Sequence, residues 1–529
     1  MPSGAHWARL DWAGLDWAGL GSAGLGSAGL GSAGLDWARL DWTGLGWTGL
    51  GWTGLGSAGP GWAGPGSLAG QYFHDVEDVE SVGTGSATAG QWIERDAAVV
   101  WHGFTQMATF PSSEPIVVER AEGRELIDVD GRRYLDAISS LWVTTLGHRV
   151  PELDAALARQ IDRVAHSTML GNSNTVVVEL AEALAEIVPV DQPHFLFASD
   201  GASAVEQALK IALQYWVNRG APERSGYLVL GDAYHGDTVG SLSLGDSGFG
   251  TGIFDPLRFE VSRTPGYGDP GWLDSALDCL MRNADRLAAV VMEPLVQGAA
   301  GMLVADPRDV AAFAKACSDE GVLLVADEVA TGFGRTGKMF ASDICGLHPD
   351  LLCLGKGITG GYLPMSATVA AHHVYSAFLD DHVSQRTFFH GHSYGGNALA
   401  AAVALEHLHI MERDMVLANV TARGAQLGDL LEHSVAPLEA VGDVRRCGLM
   451  AGVELAADTG RLNAARRVCA AAVRRGVLLR PLGDVVVLMP PLTTTADEIE
   501  RIVTVLTHSI EEVVGSEPDA MHAHSRERA

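Results

Sequence analysis

Five short apolar runs lie in the middle of the chain, and each of them ends in polar or small residues. The runs are HFLFAS (194–199), YLVLGD (227–232), LAAVVMEP (287–294), VLLVADE (322–328) and LLCLGK (351–356). Between them lie segments such as SAVEQALKIALQYWV and PRDVAAFAKACSDEG, whose apolar residues recur with a period near 3.6 residues. Strands that alternate with helices predict an α/β fold, in which helices cover both faces of a mostly parallel sheet.

The last of these runs ends at a lysine, Lys356, with glycines on both sides. The stretch is not a phosphate-binding P-loop, because Gly357 follows the lysine and Asp350 occupies the position of the first glycine of that motif. A solvated turn lysine and a nucleophile that attacks an aldehyde both remain open from this stretch alone. The carboxyl ends of parallel strands form the ligand crevice of such sheets, which favours the nucleophile.

A pyridoxal phosphate cofactor would use the other strand ends as well. Its aldehyde needs an amine, which Lys356 supplies, and its pyridine nitrogen needs an acidic partner, which Asp327 offers. Its phosphate needs a helix start with small residues, such as Gly201 in SDGASAVEQALK, and its ring needs an aromatic neighbour, such as Tyr234. Each residue has a plainer alternative, namely a helix cap, a strand-to-helix turn and a core aromatic. Their order on successive strand ends favours the cofactor site.

The composition limits the classes of function. The 529 residues carry a formal net charge of −29, which argues against a general binder of nucleic acid or anionic membranes. The six cysteines are scattered without a CxxC pair, so we expect neither disulfides nor a metal site, and a reducing cytoplasm fits best. No apolar run reaches about 18 residues and no secretory signal is recognisable, so we expect neither a membrane span nor export.

Residues 8–65 consist of five-residue units such as AGLGS and AGLDW. A solenoid of pentapeptide repeats favours Asp or Asn before the central Leu, but Gly stands there in nearly every unit. Because glycine raises the entropic cost of ordering a chain, we expect residues 1–95, the repeats and a Gly/Ser/acid-rich linker, to be disordered. A folded composition begins near VVWHGFTQM, and we expect the tail 516–529 to be disordered again.

Several longer motifs lie in the folded part: DEVATGFGRTGKMFA, LGKGITGGYLPMSAT, AYHGDT, EPLVQGAAGM and FFHGHSYGGNALAAA. In these motifs the chain resembles the class III pyridoxal-phosphate aminotransferases of fold type I. In VWHGFTQM, SSLW, LLRPLGD and LMPPL it is similar, more narrowly, to the aminotransferases of biotin synthesis that act on 8-amino-7-oxononanoate. The resemblance covers about residues 98–512. It implies a large cofactor-binding domain over 151–405 and a smaller α+β domain formed by 96–150 and 406–515.

The same resemblance implies roles for individual residues. Lys356 would bind the cofactor aldehyde covalently and then move the proton of the substrate carbon, and Asp327 would pair with the pyridinium nitrogen. Arg480 would hold the carboxylate of a long keto acid. The other implied cofactor contacts are Gly201, Ala202, Tyr234, His392 and, across a homodimer interface, Ser393 of the partner subunit. The other implied substrate contacts are Phe104, Trp142, Tyr234, Asp237 and Gly391.

Three positions depart from the pattern of many relatives. Leu141 precedes Trp142 where two tryptophans are common, Phe104 replaces a tyrosine, and His392-Ser393 replaces Pro-Thr. Ser393 retains a hydroxyl, so phosphate binding should survive. The other two departures leave the amino donor open between S-adenosylmethionine and lysine.

Two other functions remain open from the sequence. The enzymatic alternative is a broader ω-amine or diamine:pyruvate transaminase. Arg480 favours the biotin-pathway enzyme over this alternative. The non-enzymatic alternative is a regulator that retains an aminotransferase-like domain. The complete pair of Lys356 and Asp327 argues against the regulator, because a decayed site could lose either residue.

Overall fold

The computed structural model describes residues 87–246, 250–456 and 463–515. The repeats of residues 8–65 and the tail 516–529 lie outside these ranges, so the expectations for them stay predictions. The described chain begins with the helix Ala89–Val99, which crosses the boundary expected at residue 95. Thr88 and Gln91 form a capping box at its start, and this local signal overrides the glycine-rich composition that precedes it.

A seven-stranded sheet forms the centre of the molecule and confirms the mostly parallel α/β fold. Its strands lie in the order His194–Ala198, Ser366–Ala370, Leu351–Leu354, Leu323–Asp327, Leu287–Met292, Gly226–Leu230 and Ser262–Thr264. All five predicted runs are strands of this sheet. Ser366–Ala370 is antiparallel to both of its neighbours, whereas the other pairs are parallel.

The central strands read as continuous apolar runs because both of their faces are buried. In Leu287–Met292, Val290 and Met292 belong to the same core cluster as residues of the helices Trp272–Asn283 and Pro307–Asp319. Ala289 and Val291 belong to the cluster on the other face, with residues of the helix Gly201–Asn218. Helices on both sides therefore leave the ends of the strands as the accessible edge.

The described helices are predominantly amphipathic. Their bounds are Ala89–Val99, Ser139–Trp142, Pro151–Ile161, Thr175–Ala185, Gly201–Asn218, Val239–Leu244, Trp272–Asn283, Pro307–Asp319, Ala341–Cys345, His372–Ser376, Ala398–Arg413, Val416–Ser434, Ala464–Arg474 and Ala496–Gly515. Short 3-10 helices span Pro111–Ser113, Thr251–Leu257 and Lys356–Thr359. Within the described ranges, no helix combines the length and the apolar character that crossing a membrane would require.

A smaller domain combines both ends of the folded chain. The antiparallel strands Val118–Glu122, Glu125–Asp128 and Arg133–Asp136 gain a parallel fourth strand, Val477–Leu478, from the C-terminal part. A second, antiparallel sheet has the order Val441–Cys447, Met450–Leu455, Val485–Leu488 and Arg480–Leu482, and a two-stranded ribbon pairs Val296–Gln297 with Leu303–Val304. Leu135 and Leu488 share one buried cluster, so the two ends form a single core, as the α+β expectation required.

Candidate active site

A cavity of about 510 Å³ lies at the carboxyl edge of the central sheet. Asp327 ends the strand Leu323–Asp327, while Glu293 and Lys356 follow closely after the neighbouring strands on either side. This is the edge at which parallel sheets bind ligands. The predicted site residues that line the cavity are Trp142, Gly201, Ala202, Tyr234, Asp237, Asp327 and Lys356.

Lys356 is held in an unusual backbone conformation. Its φ is 40°, in the left-handed region that costs a residue with a side chain about 1–3 kcal/mol. The next residue, Gly357, packs closely against Phe333. A Cβ added to Gly357 would lie 3.1 Å from the Phe333 Cβ. The Lys356 ammonium lies 5.1 Å from the centre of a Trp142 ring. Burial lowers the pKa of Lys356, against the opposing charges of Asp327 and Glu293, which increases the share of nucleophilic neutral amine.

Asp327 is fixed by two hydrogen bonds. One carboxylate oxygen, Oδ2, lies 2.7 Å from Nδ1 of His235, and the other accepts the backbone N–H of Val329 at 3.0 Å. Burial disfavours the charged form of His235, but the hydrogen bond and the charge of Asp327 outweigh it and raise the pKa of His235. His235 was given no role from the sequence, although it adjoins Tyr234 in AYHGDT. The pair holds a carboxylate facing the cavity.

The start of the helix Gly201–Asn218 lies at the cavity, and a helix N-terminus of this kind favours an anion. The Asp200 carboxylate caps it by accepting the N–H of Ser203 at 2.8 Å, and the backbone N–H groups of Gly201 and Ala202 belong to its first turn. A Cβ on Gly201 would lie 2.6 Å from a methyl group of Val329, and one on Gly236 would lie 2.5 Å from the Ala202 Cβ. Both glycines are therefore required for the close approach of helix and loop.

Tyr234 and Asp237 lie together on the loop after Gly226–Leu230. The Tyr234 hydroxyl donates to Oδ2 of Asp237 at 2.8 Å. Burial and this hydrogen bond raise the pKa of Tyr234, so the phenol stays neutral at physiological pH. The Tyr234 N–H donates to Oε2 of Glu293 at 3.1 Å, which fixes the loop to the neighbouring strand end.

Trp142 ends a short, strained helical turn, Ser139–Trp142. Ser139, Ser140 and Trp142 have positive φ values of 51°, 60° and 65° although none is glycine, and Leu141 between them has a φ of −144°. The Asp136 carboxylate accepts the Ser140 N–H at 2.9 Å and 2.8 Å and its hydroxyl at 3.0 Å. The Ser139 hydroxyl donates to the carbonyl of Met489 at 2.7 Å. These contacts hold the buried indole at the cavity wall.

The remaining predicted residues do not line this cavity in the single chain. Arg480 lies in the strand Arg480–Leu482, and its charge acts on the Tyr234 hydroxyl; burial lowers the pKa of Arg480. Phe104 is 65% exposed. The exposed or half-buried Gly391, His392 and Ser393 lie on a separate segment, where the Ser393 carbonyl pairs with His166 Nε2 at 2.8 Å. Because none of these residues lines the cavity, the roles predicted for them remain predictions.

The residues present fit pyridoxal phosphate. An amine of lowered pKa, a fixed carboxylate and a helix start packed through glycine meet in one cavity. Two buried nitrogens of residues that line the cavity, Trp142 Nε1 and His235 Nε2, have no hydrogen-bond partner among the described residues. A polar ligand that supplies an aldehyde, a ring nitrogen and a phosphate matches this set of groups.

Comparison with known proteins gives a consistent result. The family model "Aminotransferase class-III" matches residues 108–510. Adenosylmethionine-8-amino-7-oxononanoate aminotransferase of Nitratidesulfovibrio vulgaris is 48% identical over 432 residues, which are 77% of this chain and 79% of that protein. The crystal structure of the enzyme of the same name from Methanocaldococcus jannaschii is 37% identical with a TM-score of 0.77, covering 80% of this chain and 98% of that one. A PLP-bound amine transaminase from an uncultivated Pseudomonas species is 33% identical with a TM-score of 0.72, covering 78% and 99%.

Proposed function

We propose, on the premise that this chain belongs to the class III aminotransferases, that it converts 8-amino-7-oxononanoate to 7,8-diaminononanoate in biotin synthesis. Family membership makes it a pyridoxal-phosphate-dependent aminotransferase of fold type I. The observation that carries the substrate assignment is the similarity over most of the chain to aminotransferases named for this substrate. Arg480, in the strand Arg480–Leu482, is consistent with it. A planar, bidentate donor of this kind suits the carboxylate of a long keto acid.

The residues of the cavity divide the chemistry among them. When bound, pyridoxal phosphate supplies an electrophilic aldehyde and a ring that delocalises the electron pair of a deprotonated carbon. Asp327, fixed by His235, would hold the proton at the ring nitrogen. Lys356, whose pKa burial lowers, would accept the proton of the substrate carbon and donate it again as the amino group is transferred. The N–H groups of Gly201 and Ala202 would hold the phosphate.

The function is tested by supplying the purified protein with 8-amino-7-oxononanoate and an amino donor. We expect 7,8-diaminononanoate by mass spectrometry. The runner-up function is a broader ω-amine or diamine:pyruvate transaminase. Formation of alanine from diamines and pyruvate, without any diamine product from 8-amino-7-oxononanoate, would favour that alternative.

For the amino donor, we propose that lysine serves alongside S-adenosylmethionine. Leu141 is half exposed beside Trp142 and supplies no second aromatic wall for an adenine or a sulfonium, and Phe104 lacks a hydroxyl. We expect millimolar lysine, mixed with the cofactor-loaded protein without keto acid, to remove its visible absorbance in a stopped-flow experiment. Absorbance loss with micromolar S-adenosylmethionine but none with lysine would contradict the lysine proposal.

A matched variant separates the two donors further. Leu141→Trp adds an aromatic face, and a cation–π contact contributes about 0.5–2 kcal/mol. The preference for S-adenosylmethionine over lysine should therefore rise by about 2- to 30-fold in this variant. An unchanged ratio of the two rates would show that position 141 does not contact the donor.

We further propose a homodimer, to which Ser393 of the partner subunit brings a phosphate contact. Phe389, close in sequence to Ser393, is 75% exposed, and Trp101 is 88% exposed. Large aromatic side chains are enriched at protein–protein interfaces. The unpaired state of all six cysteines supports a reducing compartment, which we take to be the cytoplasm.

Phe389→Asp should shift the protein from dimer to monomer and weaken cofactor binding, because a charge would then have to be buried in the interface. Light scattering measures the mass, and a cofactor titration measures the affinity. Met281→Asp is the control, since Met281 is also exposed but lies on the outer helix Trp272–Asn283. A Phe389→Asp variant with the mass and cofactor affinity of the parent would refute this interface.

A further inference from the structure

We propose that Glu293 is a positioning residue for the transamination, a buried carboxyl that fastens the cavity wall carrying Tyr234 to the wall that supports Trp142. The side chain is almost fully buried, lines the cavity and follows the strand Leu287–Met292 by one residue. The sequence shows it only as the acidic residue of the EPLVQGAAGM motif. The inference rests on the family's cofactor and does not depend on which keto acid is the substrate.

The first connection of Glu293 is to the tyrosine loop. Oε2 accepts the backbone N–H of Tyr234 at 3.1 Å. Tyr234 in turn holds Asp237 through its hydroxyl, and the following residue, His235, holds Asp327. The hydrogen bond to Glu293 therefore fixes the position of Tyr234. Through Tyr234 and His235, the same loop contacts the carboxylates of Asp237 and Asp327.

The second connection is to the turn behind Trp142. Oε1 accepts the backbone N–H of Gly298 at 3.1 Å. Gly298 packs so closely on the indole that an added Cβ would lie 3.3 Å from Cζ3 of Trp142. Because the two oxygens of one carboxylate hold the two walls, a change at Glu293 moves both walls together.

The titratable groups that face Glu293 come from several neighbouring elements: Tyr234, His235, Tyr267, Asp327 and Lys356. Burial and the charge of Asp327 raise the pKa of Glu293 to about 7, against the opposing effects of His235 and of the two backbone N–H groups. Protonation of Glu293 places a hydrogen on Oε1 or Oε2, and each of these oxygens accepts one backbone N–H, from Gly298 or from Tyr234. The wall connection is therefore complete above about pH 7 and loses one hydrogen bond as the pH falls through that value.

The test compares Glu293→Gln with Glu328→Gln in the cofactor-loaded protein. Glu328 is a matched control, since it is fully buried and accepts the backbone N–H groups of Ala341 and Ser342 at 2.9 Å and 2.7 Å, but it does not line the cavity. The visible circular dichroism of the bound cofactor reports the geometry of the walls without any substrate. It is followed between pH 6 and pH 9, together with kcat and KM.

In the parent protein and in Glu328→Gln, the dichroism should change with an inflection near pH 7, as the connection forms. In Glu293→Gln the inflection should vanish, and kcat/KM at pH 8 should fall by about tenfold or more, the order expected when one hydrogen bond to a charged group is lost. An unchanged inflection and an unchanged signal in Glu293→Gln would overturn the proposal.

A second variant covers the case in which Glu293→Gln does not fold. Glu293→Asp keeps the charge but shortens the side chain, so the inflection should persist while the dichroism at pH 8 weakens. Dichroism at pH 8 equal to that of the parent would overturn the proposal in this variant too. Failure of the substrate assignment would appear separately, as absence of the diamine from the parent protein.

Discussion

Lys356→Ala should lower the rate of transamination by more than about 10⁴-fold, beyond the usual contribution of one general base, because the covalent contact with the cofactor is lost as well. The variant should still bind the cofactor, since the phosphate corner at Gly201 and Ala202 and the Asp327–His235 pair remain. Single-turnover assays with a saturating donor measure the loss. A variant that keeps more than a hundredth of the activity would contradict the assignment.

Chemical mapping gives an independent check, because the chain has only four lysines: Lys210, Lys315, Lys338 and Lys356. Borohydride reduction followed by peptide mass spectrometry should place the cofactor on Lys356. Lys315→Ala is the matched control and should keep full activity, since Lys315 forms an exposed ion pair with Asp319 at 2.6 Å. Cofactor found on any other lysine would exclude the proposed role of Lys356.

Asp327→Asn should lower kcat by about 10²–10³-fold while the cofactor stays bound, because a neutral amide no longer stabilises a proton at the ring nitrogen. The variant also removes the anion that raises the pKa of His235. Because burial lowers that pKa, the pKa of His235 should fall in the variant. Histidine NMR measures the pKa, and steady-state kinetics measure kcat.

Asp350→Asn is the control for Asp327→Asn. Asp350 precedes the neighbouring strand and accepts the Leu324 N–H at 2.7 Å, at the opposite end of the sheet from the cavity. The Asp350→Asn variant should have the kcat and the cofactor absorbance of the parent protein. Equal losses of kcat in the two variants would show that Asp327 acts only through stability.

The sequence identifies the buried centre of the fold because its strands are apolar on both faces. Two strands of the same sheet escape this signal. Ser366–Ala370 contains Ser and Thr, and Thr368 donates to the carbonyl of Ala204 and to Gln207, so its polar groups are satisfied inside the protein. Ser262–Thr264 is a three-residue edge strand, too short to show any periodicity.

The site divides in the same way. Lys356 and Asp327 are predictable because each closes an apolar run, and position along the strand then determines where the side chain lies. His235 and Glu293 also follow such runs, but their importance depends on buried contacts with Asp327 and with two backbone N–H groups. A polar residue after a strand looks the same in a sequence whether water or the protein satisfies it.

The Ser139–Trp142 turn has a consequence for the order in which the protein is assembled. Its strained backbone is held by the carbonyl of Met489, which lies 350 residues further along the chain. A nascent chain emerging from the ribosome therefore carries Trp142 long before the residue that locks it has been synthesised. The central sheet can form earlier, but the tryptophan wall can close only when the C-terminal strands dock. We therefore expect a chain that ends before Met489 to leave the Trp142 wall without one of the contacts that fix it.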